Sequence, residues 1–98
     1  MPVLGTYTAT ANTPIGKRTL EITILENGNS YKGILRSETY VYELAEVKVS
    51  DNKFVFDVKL NLPIGSVSAT FNCSVHDNTL IGEIVTPYAT VNFQGQRA

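Results

Sequence analysis

Between Ser66 and Val75 the chain alternates without a break: Val67, Ala69, Phe71, Cys73 and Val75 are apolar, and Ser66, Ser68, Thr70, Asn72 and Ser74 are polar. A period of two puts one set on each face of a β-strand, so the apolar set faces a core. The same rhythm recurs along the chain, and no window carries helical spacing. It predicts eight short strands, near 5–11, 18–25, 30–36 and 40–49, then 53–60, 66–75, 79–85 and 88–96. Thr13-Pro14-Ile15-Gly16, Asn27-Gly28-Asn29, Ser50-Asp51-Asn52, Pro63-Ile64-Gly65 and His76-Asp77-Asn78 separate them and supply turn chemistry.

The pattern also repeats at an offset of 49. Asn12 matches Asn61, Pro14-Ile15-Gly16 matches Pro63-Ile64-Gly65, and Asn29 and Gly33 match Asn78 and Gly82. The halves 1–49 and 50–98 are thus two four-stranded repeats, each needing the other to cover its apolar face. Shared parity places Leu20, Ile22 and Ile24 inside with the β-strand around Phe71, and aligns Phe54, Phe56, Val58 and Leu60 with Gly5, Tyr7, Ala9 and Ala11. Tyr42 and Leu44 match Val91 and Phe93, but beyond them the apolar register shifts to Ala45, Val47 and Val49, which predicts a bulge near Ala45 or Glu46. Short connections imply a meander. Closure removes the exposed edges of so small a sheet, so the expected fold is all-β, a single eight-stranded antiparallel up-and-down barrel over residues 1–98.

With those elements placed, the chain resembles a family of small bacterial β-barrel proteins of uncharacterised role. Its marks are the Thr-Pro-x-Gly hairpin at Thr13-Pro14-Ile15-Gly16, the turn Asn27-Gly28-Asn29, the strand Leu80-Ile81-Gly82 and the ending Phe93-Gln94-Gly95-Gln96-Arg97. These are turn and packing motifs, and they bear on fold more than on chemistry. A looser resemblance is to the calycins, the lipocalin-like barrels, through Gly5-Thr6-Tyr7 and Arg97, with Tyr7 where those proteins carry Trp. That resemblance implies a basic side chain of the last strand lying over an aromatic ring of the first, a contact of about 0.5–2 kcal/mol.

Charge and cysteine content narrow the setting. Eight Lys+Arg against nine Asp+Glu give a net charge of −1, with both signs dispersed, so nucleic acid is not an expected partner. Cys73 is the one cysteine and has no intramolecular partner for a disulfide, which points to a reducing, cytoplasmic setting; a leader already removed would leave no trace here. No apolar run approaches the roughly 18 residues of a membrane span.

The inward positions hold no carboxylate, lysine or histidine, so no general acid or base and no catalytic residue is assigned. His76 falls in a turn, and one His with one Cys cannot supply a zinc site, so neither a metal nor a cofactor is expected. Tyr7, Tyr31, Tyr40 and Tyr42 lie in the first half and place hydroxyls on the interior or at its mouth, able to hold the structure or to orient a ligand. In a meander, one end collects the tight turns. The other collects Ile15, Ile64 and Tyr88, apolar residues able to plug the mouth, contact a second subunit in a homodimer or gate a ligand. The leading expectation is a non-catalytic barrel that binds a small apolar ligand through Tyr7, Tyr31, Tyr42, Ile15, Ile64 and Tyr88, or serves as an accessory domain. Two alternatives remain: a cofactor-free cyclase, isomerase or lyase orienting an apolar substrate with Tyr31 or Tyr42, and a filled barrel acting in protein association.

Overall fold

The computed structural model describes residues 3–13, 16–37, 40–62 and 65–98. Eight strands follow in order: β1 (Gly5–Thr13), β2 (Gly16–Asn27), β3 (Ser30–Ser37), β4 (Val41–Ser50), β5 (Lys53–Leu62), β6 (Gly65–His76), β7 (Thr79–Val85) and β8 (Thr90–Arg97). Each pairs antiparallel with the next, and β8 returns to β1 from Phe93↔Ala11 to Arg97↔Tyr7, closing an up-and-down barrel. No helix occurs among the described residues, and so none long and apolar enough to cross a membrane.

Parity from the sequence holds around the wall except at Ala45, which lies exposed in the irregular stretch of β4 while Val47 is buried and Val49 half-buried. Tyr7, Ile22, Ile24, Phe54, Phe71 and Leu80 are fully buried, and among the described residues no polar or charged side chain is buried. The interior is filled by aromatic rings: Phe56 stacks on Phe71 at 4.7 Å, Phe54 on Phe56 at 6.2 Å and Tyr7 on Phe54 at 6.1 Å, while Phe93 tilts against Phe71 at 6.0 Å. Gly33 and Gly82 make room for this filling, since a Cβ there would meet Leu44 and Phe93. Offset rings in a dry core add to the area they bury.

The two ends are built differently. At one, two-residue turns at Gly28-Asn29, Asp51-Asn52 and Asp77-Asn78 join the strands, with Gly28, Asp51 and Asp77 at φ of 64°, 54° and 57°. Only Gly, Asn and Asp enter that left-handed region at low cost. Two of these turns are tied to neighbouring strands: Val75 N–H of β6 donates to Asn52 O, and Arg97 N–H of β8 donates to Asn78 O. The chain start closes this tight end. Val3 is fully buried there, and the Tyr7 hydroxyl donates to its carbonyl at 2.8 Å. Arg97 lies 5.0 Å over the Tyr7 ring and donates to Leu4 O. Gly5, at φ 130°, has Arg97 Nη1 only 2.7 Å from where a Cβ would stand, so the guanidinium sits where only glycine leaves space. The ring contact and the charge-assisted bond together make Arg97→Ala cost about 2 kcal/mol in urea denaturation, with Arg97→Lys recovering only part.

β4 carries the predicted irregularity. Tyr31 pairs with Val47 but Gly33 pairs with Leu44, so Lys32 faces both Ala45 and Glu46 in a bulge. A bulge bends its strand and increases the twist. The consequence lies at the next seam. β4 and β5 pair only at Lys48↔Val55, Val49↔Phe54 and Ser50↔Lys53, beside the turn that joins them, whereas β5 and β6 pair over their full length from Lys53↔Ser74 to Leu62↔Gly65.

Candidate functional site

Where the β4–β5 ladder stops, a groove of about 570 Å³ runs up the wall. Its floor is apolar, formed by Tyr42 and Leu44 of β4 and Phe56 and Val58 of β5, all from inward positions. Its lips are charged: Glu43, Glu46 and Lys48 on one side, Asp57 and Lys59 on the other. The floor is continuous with the core, because Leu44 and Phe56 are buried while Tyr42 and Val58 are half-buried and lie against it.

The groove opens toward the end opposite the tight turns. Leu20, Leu60, Ile84 and Val91 are half-buried at that loop end, each an inward residue of a different strand, whereas inward residues near the tight end such as Ile24, Phe54, Val75 and Leu80 are buried. Ala11 and Val67 are nevertheless buried at the loop end, and Tyr31 and Val49 are half-buried near the tight one. The loop from β7 to β8 stands above this rim. Thr86 shapes it by accepting at Oγ1 from the N–H groups of Tyr88 and Ala89, which leaves the Tyr88 side chain 76% exposed. Between β3 and β4, Ser37 N–H donates to Tyr40 O, and the Tyr40 ring stacks on Tyr42 at 5.7 Å.

The expected site residues are therefore divided between the ends. Tyr42 and Tyr88 belong to the groove and the loop end. Tyr7 is fully buried beneath Arg97 at the tight end, its hydroxyl engaged by Val3. Tyr31 is the second residue of β3, opposite Glu26 and Val47, and is half-buried beside the tight turns, apart from Tyr42. Ile15 and Ile64 lie outside the described residues. The sequence reading did not single out Leu44, Phe56 or Val58 as ligand-facing, because their alternation marks them only as core. The bulge after Leu44 was the one signal that could have pointed to the groove.

His76, expected in the turn, is instead the exposed last residue of β6, paired with Thr79, and among the described residues no cluster of three metal-ligating side chains occurs. Burial raises the Tyr7 hydroxyl above its ordinary 10.0, a shift that the neighbouring Arg97 charge opposes. Burial alone pushes the Cys73 thiol from 9.0 up to about 12. It therefore stays protonated in the barrel but ionises in the unfolded chain, which binds fewer protons at alkaline pH. Stability from this source is complete below about pH 9 and declines as pH rises toward 12. Urea midpoints should show that decline flattened in Cys73→Ala, and the folded thiol should react with a disulfide reagent at pH 8 only after denaturant is added.

Comparison with protein-family models, with curated proteins and with solved structures gave no match in any of the three.

Proposed function

We propose that this is a non-catalytic binding barrel that holds a small apolar or amphipathic molecule in the β4–β5 groove and at the loop end into which the groove opens. The observation that carries this reading is the groove itself: about 570 Å³, floored by Tyr42, Leu44, Phe56 and Val58 and rimmed by charge. Small-molecule sites are concavities of about 300–1,000 Å³, and this open one sets an apolar floor between lips that carry Glu43, Glu46, Lys48, Asp57 and Lys59, which suits an amphipathic molecule. The aromatic filling around Phe71 leaves the lower barrel to packing, so the ligand lies on top of that filling rather than through the axis. The resemblance to the calycins carries the same implication of a binding barrel.

Titration with the apolar fluorophore 1-anilinonaphthalene-8-sulfonate tests it. The folded protein should bind saturably, and Val58→Asp on the groove floor should weaken binding at least about tenfold. Ile81→Asp, on the outer face of β7 and 48% exposed, should leave it unchanged. Thermal melts of both variants establish that they are folded. Absent saturation, or an equal loss in both variants, the reading fails. A loss confined to Tyr88→Ser would move the site to the loop tips.

A further inference from the structure

We propose that the same seam accepts an extended polypeptide segment, which adds as a strand between β4 and β5. Beyond Lys48↔Val55 the two strands diverge, and among the described residues the main-chain groups of Glu43–Val47 and Phe56–Leu60 that point across the seam meet no ladder partner. On its other side β5 is paired with β6 along its whole length, and β4 is held by β3 at Val41–Leu44 and at Val47, on either side of the bulge at Ala45 and Glu46. Such an edge is a template for another chain, which gains main-chain hydrogen bonds from it and selectivity from pockets for alternate side chains. Inward side chains of the incoming strand would rest on Leu44, Phe56 and Val58.

The lips define what its outward side chains should be. The lips carry three acids, Glu43, Glu46 and Asp57, against Lys48 and Lys59, and Glu43 and Glu46 are exposed on the β4 lip, where among the described residues the ion pair formed is Arg36 with Glu21. Asp57 accepts from Thr70 Oγ1 at 2.6 Å. A partner segment therefore alternates apolar residues facing in with Lys or Arg facing out, toward Glu43 and Glu46. A second copy of this chain paired β4 to β4 would set those acids near their own counterparts, a like-charge arrangement that disfavours self-pairing. This inference rests on the main-chain edges and not on the small-molecule reading above.

The test uses a labelled peptide, acetyl-Lys-Val-Lys-Val-Lys-Val-Lys-amide, its counterpart with alternate amides N-methylated, and a Glu-for-Lys counterpart. The first should bind saturably and slow amide exchange at Glu43–Val47 and Phe56–Leu60. N-methylation should weaken it more than about tenfold, since donors are lost while side chains remain. The Glu43→Lys, Glu46→Lys double variant, altered only at exposed positions, should weaken it about fivefold and strengthen binding of the Glu peptide. Fluorophore binding by the protein alone reports the small-molecule reading separately. Equal binding of the methylated peptide, protection outside the seam, or no saturable binding of the first peptide overturns the inference.

Discussion

Gly95→Ala should destabilise the barrel by about 3 kcal/mol or more, because the added methyl has nowhere to go. Its Cβ would stand 2.2 Å from Thr8 O, 2.6 Å from Ala9 Cα and 2.7 Å from Ala9 Cβ. Two of these neighbours are backbone of β1, and backbone in a closed ladder cannot rotate aside as a side chain does. Relief requires parting β1 from β8, the pairing that turns a sheet into a barrel. Overpacking costs typically about 1–3 kcal/mol and more where the surroundings are rigid. For a chain whose whole stability is on the order of 5–10 kcal/mol, that loss approaches unfolding. Gln94→Ala, one residue earlier and exposed, should change stability by less than about 0.5 kcal/mol. Urea denaturation of the pair decides the matter; equal midpoints would mean that β8 is not seated on β1 in this register.

Phe71→Ala should cost about 3–5 kcal/mol, the usual range for removing a buried aromatic side chain. Phe71 is 1% exposed and touches two rings at once, Phe56 at 4.7 Å and Phe93 at 6.0 Å. The neighbouring rings are themselves held by Phe54 and by the wall, so the void cannot collapse easily. Phe56→Ala and Phe71→Ala should not be additive, because each removes the partner of the other, and a double-mutant cycle should show coupling of about 0.5–1.5 kcal/mol. Tyr88→Ala supplies the contrast, as its ring is 76% exposed and should matter little to stability. If Phe71→Ala unfolded no earlier than Tyr88→Ala, the aromatic filling would not be what holds the wall.

Much of this architecture was legible in the residues. The alternation from Val67 to Val75 fixed which face of β6 points inward, and all five apolar residues of that run are buried. The parity break after Leu44, a local shift of register, placed the bulge, while Arg97 over Tyr7 was an expectation carried by the resemblance to the calycins. Other features depend on distant partners. Val58 alternates in the same way whether or not β4 lies beside it, so nothing in its own strand announced the groove. Tyr7 and Tyr42 both alternate inward, yet strand direction sets one beneath the tight turns and the other at the open end, and the same antiparallel order separates Tyr31 from Tyr42. Val3 precedes the first strand and so the first alternation, which is why its role as a buried stopper had no periodic signature.

The three-pair ladder between β4 and β5 has a mechanical consequence. Strands β1–β4 and β5–β8 form two stiff shells that meet along two lines, one zipped from Ala11 to Tyr7 and the other fastened only near Ser50. Thermal agitation at constant temperature should part the shells along the weaker line while the stronger one serves as a spine. The cylinder would then breathe like a book opened at its fore-edge, well below the free energy needed to unravel it.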